Sequence, residues 1–189
     1  DAHTAILLGV AKLLSEKDDL PSGTIKLLFQ PSEESWDEEL KSGATRMIED
    51  GALDDLDYVI ALHVDSMVEA NKCEIGGGFI SAAVDKYDAK IIGKGGHGAY
   101  PHDTVDPIFA LAQVINGING IVSRRIKPRE PAVISIGTVQ GGSASNIIPG
   151  EVYINGTIRS YADDVREQLS AELERAIKVC EAYDCTYEL

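Results

Sequence analysis

The spacing of apolar residues over the first eighty positions predicts helices that alternate with short buried strands. Residues 4–16 carry apolar side chains at helical spacing, and a second helix is predicted over residues 41–50. Short, largely apolar segments at residues 24–30 and 58–64 are typical of strands buried inside a parallel sheet. This order of elements predicts part of a parallel α/β sheet with a right-handed connection.

A different order of elements follows the glycine run Gly76–Gly78, which interrupts regular structure. The apolar patterns predict, in turn, strand 82–93, helix 107–122, strand 132–141, strand 151–160, helix 162–183 and a strand from residue 185. The order β-α-β-β-α-β is that of a ferredoxin-like domain. We therefore expect two domains, residues 1–80 and residues 81–189.

The acidic composition narrows the classes of partner. The 189 residues include 31 Asp and Glu against 17 Lys and Arg, which gives a formal net charge of −14. Nucleic acids and anionic membranes are bound by clustered Lys and Arg, so neither is an expected partner. The longest apolar run, residues 58–64, is far shorter than the ~20 residues of a membrane-spanning helix. Three cysteines without a CxxC spacing argue against a disulfide framework or a zinc knuckle, and we expect a cytoplasmic protein.

Two adjacent carboxylates, Glu33 and Glu34, follow the first predicted strand, and His63 lies at the end of the second. The carboxyl ends of parallel strands meet at one edge of a sheet, where α/β folds bind ligands. Such a set suits a divalent ion, with one carboxylate as a ligand and the other as the base for a metal-bound water. Two other interpretations stay open: the glutamates are a solvated surface pair, and His63 is a hydrogen-bonded core residue.

Three further polar residues lie in the second predicted domain. His97 belongs to a glycine-rich turn, where the backbone can approach a ligand closely, although the same glycines suit a purely structural turn. The turn lacks the Lys-Ser/Thr ending of a phosphate-binding loop, which argues against nucleotide binding. Asn146 offers an amide for carbonyl recognition, and Arg159 offers a forked cation for carboxylates. Taken alone, both are ordinary polar residues.

Five stretches of the chain together carry a resemblance that none carries alone: Asp1-Ala2-His3-Thr4, Phe29 to Glu34, Ala61 to Val64, Gly93 to His102 and Ser145 to Pro149. In order and spacing they resemble the metal-dependent aminoacylase and carboxypeptidase family, specifically its amidohydrolase branch. This branch includes hydrolases of N-acyl amino acids, of hippurate and of plant auxin conjugates. The resemblance extends over the whole chain.

The resemblance implies a two-metal hydrolytic site in the first domain. Glu33 would be the general base that activates a metal-bridging water, while Glu34 and His63 would be metal ligands. The two divalent ions would be zinc, manganese, nickel or cobalt. The substrate implied is an N-acyl amino acid or a small peptide.

For the second domain, the resemblance implies a lid that also forms a homodimer. His97 would reach the active site of a partner subunit and stabilise the oxyanion formed during amide cleavage. Asn146 would assist in holding the substrate, and Arg159 would bind the free carboxylate of its amino-acid portion. A sheet edge or a helix face of this domain is the expected contact between subunits.

The two ends of the chain suggest an interior piece of a longer enzyme. Asp1-Ala2-His3 is similar to the end of a Cys-Gly-His-Asp-Ala-His motif whose cysteine and first histidine are ligands in the family, and a further histidine ligand is expected beyond Leu189. There is no initiator Met and no signal segment. We therefore expect these 189 residues alone to bind metal weakly and to hydrolyse nothing. The alternative is a non-catalytic dimerisation or regulatory module derived from such an enzyme.

Overall fold

The computed structural model describes residues 2–20, 22–35, 37–39 and 41–189. The chain divides into two compact units, residues 1–74 and 75–189, and the predicted domain boundary lies near residue 80. Asp1, which opens the first of the five family-like stretches, lies outside the described residues.

The second unit contains a four-stranded antiparallel sheet and a separate two-stranded ribbon. The sheet strands are β1 (Ala83–Ile92), β3 (Ala132–Gly141), β5 (Glu151–Ser160) and β6 (Thr186–Glu188), in the spatial order β3-β5-β1-β6. The ribbon strands are β2 (Gly96–His97) and β4 (Ile147–Ile148). One helix lies between β1 and β3 in the sequence, and another lies between β5 and β6. The predicted ferredoxin-like order is confirmed.

Helices α3 (Pro107–Arg125) and α4 (Asp163–Ile177) cover one face of this sheet and bury their apolar sides against it. Successive side chains of a strand point to opposite faces, so every second residue of the central strands is buried. Ile91, Ile154 and Ile158 are 0–2% exposed and lie in this core. The polar residues between them occupy the other face, which no helix of the second unit covers.

The start of α3 confirms a local prediction, since the sequence Asp106-Pro107 is typical of an N-cap followed by proline at the first helical position. The Asp106 carboxylate accepts hydrogen bonds from the backbone N–H groups of Ile108 (2.8 Å) and Phe109 (3.3 Å). These two N–H groups have no acceptor within the helix, so the Asp106 carboxylate supplies it.

The last predicted helix is shorter than its apolar pattern suggests. The α-helix ends at Ile177, and residues Lys178–Tyr183 form a 3₁₀ helix instead. A tighter last turn is common at helix ends, and here Asp184 stops the helix in the left-handed conformation, with φ 60°. The prediction of one continuous helix over 162–183 is therefore wrong at its carboxyl end.

The first unit contains the two predicted helices, α1 (Ala2–Ser15) and α2 (Gly43–Glu49). The Ser42 hydroxyl caps α2 by accepting a hydrogen bond from the Thr45 N–H at 3.4 Å. A Cβ atom on Gly43 would overlap the carbonyl oxygen of Pro31, so only glycine fits where this helix begins.

The predicted strands of the first unit are not formed, since no strand occurs among its described residues. The apolar side chains of residues 58–64 remain exposed, with Tyr58 and Ile60 each 89% exposed, and α1 buries none of its residues. A buried strand needs a neighbouring strand for its backbone groups and a covering layer for its side chains. The described residues of this unit supply neither, so the prediction of strands at 24–30 and 58–64 is wrong for this structure.

Among the described residues, every helix is too short or too polar to cross a membrane.

Candidate active site

The two-stranded ribbon of the second unit brings His97 and Asn146 together, although they lie far apart in the sequence. His97 is paired with Ile147 across the ribbon, and Gly96 is paired with Ile148. The backbone N–H of the residue after His97, Gly98, donates to the carbonyl oxygen of Asn146 at 2.8 Å. The ribbon therefore brings the backbones of His97 and Asn146 close together, and both side chains are exposed.

The glycines around His97 allow this close pairing of backbones. A Cβ atom on Gly98 would lie 3.1 Å from the carbonyl oxygen of Asn146, and one on Gly95 would lie 2.7 Å from that of Ile148. Side chains at these positions would push the ribbon strands apart. The structural interpretation of the glycine-rich turn is therefore correct, and it also accounts for how His97 is placed beside Asn146.

The imidazole of His97 is held by the turn that follows it. Its Nδ1 accepts a hydrogen bond from the backbone N–H of Ala99 at 3.1 Å. The ring of Tyr100 lies 5.5 Å from the imidazole, centroid to centroid, at an interplanar angle of 56°, and the Tyr100 N–H donates to the carbonyl oxygen of His97 at 2.8 Å. The sequence pattern drew attention to His97 but not to these two neighbours, because their contact depends on the shape of the turn.

Arg159 lies elsewhere in the second unit. It is exposed near the end of β5, where it is paired with Val84 of β1 and Val133 of β3. The ribbon joins the sheet at the other end of β5, where the N–H of Gly93 donates to the carbonyl oxygen of Gly150. Strands rise about 3.3 Å per residue, so Arg159 is about 26 Å along β5 from Glu151. The structure thus places Arg159 at the end of β5 opposite to the one that the ribbon joins.

In the first unit, Glu33 and Glu34 are exposed on the loop that precedes α2. His63 is also exposed, and its Nδ1 lies 2.9 Å from the carbonyl oxygen of the next residue, Val64. A carbonyl can only accept, so Nδ1 carries the proton in this contact and Nε2 keeps its lone pair. Metal-binding histidines are commonly oriented in this way, by a hydrogen bond from the nitrogen that does not bind the metal.

His3 lies next to His63, a contact that the sequence analysis did not predict. The Nε2 atom of His3 accepts a hydrogen bond from the Val64 N–H at 3.0 Å, and the two imidazole rings are 5.9 Å apart in an edge-on arrangement. Its place at the start of the chain, in the stretch Asp1-Ala2-His3-Thr4, was the available signal. The contact connects the first and third of the five family-like stretches.

A complete metal site is not formed by the described residues, since they contain no group of three or more His, Cys, Asp or Glu side chains that could hold a metal ion. Zinc sites normally take three or four protein ligands. A glutamate and a histidine with an open Nε2 are suitable donors for zinc or manganese, so Glu34 and His63 fit the chemistry of a metal site but do not complete it. The assignment of these ligands stays a prediction.

These features define a class: an α/β protein whose ferredoxin-like unit presents a histidine and an amide on a ribbon. Residues 71–181 match the family of peptidase dimerisation domains, and the chain belongs to this family.

Relatives similar along the whole chain are hydrolases. The chain is 42% identical over 189 residues to N-acyl-L-amino acid amidohydrolase of Geobacillus stearothermophilus, covering 100% of this chain and 50% of that protein. It is 43% identical over 190 residues to thermostable carboxypeptidase 2 of Saccharolobus solfataricus, covering 100% of this chain and 48% of the relative. The chain therefore spans about half the length of the curated relatives that it matches.

A solved structure supports the same family. The Bacillus subtilis YXEP protein, a dinuclear metal binding peptidase from the M20 family, is similar over 98% of this chain and 45% of that chain. The sequence identity is 25% and the TM-score is 0.68. The predicted relationship to aminoacylases and carboxypeptidases is confirmed.

Proposed function

We propose that the whole protein containing this chain is a metal-dependent hydrolase that cleaves the amide bond of N-acyl amino acids or small peptides. The observation that carries this proposal is the 42% identity, along all 189 residues, to an N-acyl-L-amino acid amidohydrolase. The chain covers 50% of that relative, and its described residues contain no group of three or more side chains that could hold a metal ion. The hydrolysis itself is therefore assigned to the whole protein.

The proposal gives each candidate residue of the first unit one task. Glu33, whose carboxylate is exposed on a loop, takes a proton from the attacking water and passes it to the departing amine. Glu34 and His63 hold metal, and the hydrogen bond from His63 Nδ1 to Val64 leaves Nε2 for this purpose. Two divalent ions, zinc, manganese, nickel or cobalt, would polarise the carbonyl and make the bound water acidic.

The residues of the second unit act on the substrate. His97 donates a hydrogen bond to the oxyanion, Asn146 beside it holds the substrate, and Arg159 pairs with the free carboxylate. An N-acyl amino acid is about two residues long, which is about 7 Å. Because Arg159 lies so far along β5 from the ribbon, one substrate of that length cannot contact His97 and Arg159 of the same chain. We infer that two copies of the chain contribute to each site.

A homodimer with two-fold symmetry would supply these groups reciprocally. Support for a dimer comes from the match of residues 71–181 to a dimerisation domain. The ten-residue strand β3 lies at one edge of the sheet, and the other edge strand, β6, has only three residues. A long strand edge can add a strand from a second copy, so β3 is the contact that we favour.

A cytoplasmic location also belongs to this proposal. Cys73, Cys180 and Cys185 are free thiols, and thiols stay reduced in the cytoplasm. Fractionation of cells that express the whole protein would test it, and recovery outside the cytoplasm would contradict it.

The decisive experiment replaces Glu33 by Gln in the whole protein. This change removes the proton acceptor and keeps the size of the side chain, so we expect kcat for N-acyl amino acids to fall by about 10²- to 10⁴-fold. Metal content, measured by elemental analysis, should stay unchanged, because Glu33 is not assigned as a ligand.

The matched control is Glu38→Gln, which removes an exposed carboxylate from the same loop and should leave kcat unchanged. Equal turnover by Glu33→Gln and wild-type protein would refute the assigned base. If the metal-loaded wild-type protein hydrolyses neither acyl amino acids nor small peptides, the alternative of a non-catalytic dimerisation module is correct instead.

A further inference from the structure

The backbone N–H of Ala99 is a hydrogen-bond partner of the His97 imidazole. It donates to the Nδ1 of His97 at 3.1 Å. A neutral imidazole has one protonated and one unprotonated nitrogen, and only the unprotonated one can accept. This contact therefore requires Nδ1 to be unprotonated and puts the ring proton on Nε2.

We propose that the Ala99 N–H is a positioning group that selects the Nε2–H form of His97 and turns this donor toward the substrate. The inference rests on the proposed function of His97 as a donor to the oxyanion. An oxyanion is stabilised by a donor that is already aimed at it, because reorientation during the reaction costs free energy. With Nδ1 engaged by the turn, Nε2–H is the remaining polar group of the ring.

The backbone of the turn is fixed by its own hydrogen bonds, so the position of Ala99 does not depend on its side chain. The N–H of Tyr100 donates to the carbonyl oxygen of His97 at 2.8 Å, and the N–H of Gly98 donates to that of Asn146 at 2.8 Å. Farther along, the Thr104 hydroxyl donates to the carbonyl oxygen of Pro101 at 2.7 Å. These bonds fix the backbone on both sides of Ala99, and its N–H therefore stays next to Nδ1 of His97.

The ring of Tyr100 restricts the imidazole from another side. It lies 5.5 Å from the His97 ring and 6.2 Å from the ring of His102, centroid to centroid. Aromatic rings at such distances form favourable tilted or edge-on pairs. A half-turn of the imidazole about its Cβ–Cγ bond would keep the contact with Tyr100 but break the hydrogen bond from Ala99.

The alternative tautomer would place two donors face to face. If Nδ1 carried the proton, its N–H and the Ala99 N–H would point at each other, and one intramolecular hydrogen bond would be lost. Such a bond contributes about 1 kcal/mol, which is about fivefold in a tautomer ratio. The fraction of the Nδ1–H form should therefore be about fivefold lower in the protein than when this donor is removed.

The test uses the whole protein, labelled with ¹⁵N in its histidine rings, at a pH where imidazoles in general are neutral. Protonated and unprotonated ring nitrogens differ widely in ¹⁵N chemical shift, and loss of a signal in His97→Gln assigns the residue. We expect Nε2 to be the protonated nitrogen. In a variant in which lactic acid replaces Ala99, an ester replaces the amide and only the N–H is lost, so the Nδ1–H fraction should rise about fivefold.

Two further variants separate this role from a structural one. Ala99→Pro also removes the N–H and should change the tautomer ratio in the same direction, whereas Ala99→Ser keeps the N–H and should behave like wild type. In the hydrolysis assay, both variants without the N–H should lower kcat by at most about fivefold, with KM nearly unchanged. A merely structural role of Ala99 would not move the tautomer ratio of a folded protein.

The outcomes distinguish the inference from the proposed function. A protonated Nδ1 in the wild-type protein, or an unchanged tautomer ratio in the ester variant, overturns the inference whatever the activity. A tautomer ratio that responds as expected in a protein without hydrolase activity supports the positioning role of Ala99 and rejects the catalytic role of His97.

Discussion

At the scale of single residues, the clearest adaptation in the core is the space that Gly156 leaves for Tyr87. These residues are paired across β1 and β5, and the Tyr87 hydroxyl passes over Gly156 to donate to the carbonyl oxygen of Ser135 on β3 at 3.1 Å. A Cβ atom on Gly156 would lie 2.6 Å from that hydroxyl oxygen. One phenol thereby joins three neighbouring strands, which requires a residue without a side chain in the middle one.

The buried hydroxyl of Tyr87 should make the protein sensitive to alkaline pH. Burial raises the pKa of Tyr87 to about 12, against about 10 for an unfolded tyrosine. Between these two values the unfolded chain has lost the proton and the folded chain keeps it, so the free energy of unfolding falls as the pH rises. We expect a loss on the order of 1 kcal/mol between pH 10 and 12, measured by urea unfolding.

The control for this prediction is Tyr87→Phe, which cannot ionise. It should be less stable than wild type at neutral pH, because the carbonyl of Ser135 loses its donor, yet its stability should fall less steeply above pH 10. Identical slopes for the two proteins in this range would contradict the assignment to Tyr87.

At the scale of elements, α3 has two glycines three positions apart in different surroundings. Gly117 faces α4, and a Cβ atom there would lie 3.3 Å from the Cβ of Ala176. A Cβ atom on Gly120 would meet no atom within 4 Å. The first glycine thus sets how closely the two helices approach, whereas the second only lowers the helix propensity of α3.

The same substitution should therefore have opposite effects at these two glycines. Gly117→Leu inserts a side chain between packed helices and should lower the free energy of unfolding by about 1–3 kcal/mol. Gly120→Leu replaces a poor helix former in open space and should raise it by about 0.5–1 kcal/mol. Urea unfolding of each variant measures both, and a gain at Gly117 would show that α4 is not packed there as described.

At the scale of the whole molecule, the separation of the ribbon from Arg159 is the feature with the largest consequence. β2 pairs with β4, and the ribbon joins the sheet at the end of β5 opposite to that of Arg159. A substrate site that uses both His97 and Arg159 then has to be assembled from two copies. Dimerisation becomes a requirement for activity in this proposal, beyond any contribution to stability.

Complementation between inactive variants tests this arrangement in the whole protein. His97→Ala and Arg159→Ala homodimers should each be impaired at both sites. After mixing and subunit exchange, a heterodimer has one site in which both residues are intact, so random pairing should restore about a quarter of the wild-type activity. Light scattering of each sample should give the mass of a dimer.

The matched control mixes His97→Ala with Asn146→Ala. Both residues lie on the same ribbon, so every site of this heterodimer lacks one of them and no activity should return. Recovery in the control would mean that the His97 and Asn146 of one site come from different chains. No recovery in the first mixture, despite demonstrated subunit exchange, would mean that one chain supplies both His97 and Arg159 to a site.

Local spacing predicted most of the second unit, because the features involved depend on neighbouring residues. The alternation of apolar and polar residues over 132–141 and 151–160 predicted both strands with their observed bounds, and the buried face follows from the same alternation. Asp106 and Pro107 predicted the start of α3, since an N-cap and a fixed proline φ act within one turn. Such signals need no knowledge of the rest of the chain.

The first unit shows where this kind of signal is insufficient. The apolar runs at 24–30 and 58–64 have the composition of buried strands, but a strand forms only where another strand satisfies its backbone groups and other layers cover its side chains. Neither is provided by the described residues of this unit, so both segments remain unpaired and most of their apolar side chains are exposed. The apolar composition of these segments favours a buried strand. Whether a partner strand and a covering layer are present depends on the tertiary structure.

The candidate site shows the same difference between what local sequence and what tertiary structure determine. The sequence by itself determined which residues have suitable chemistry, from Glu33 to Arg159, and which family the chain resembles, because these depend on residue types and their order. Only the tertiary structure placed His97 beside Asn146, put Arg159 at the far end of β5 and set the Ala99 N–H against Nδ1. Those relations depend on strand pairing and turn geometry between segments that the order of residues alone does not bring together.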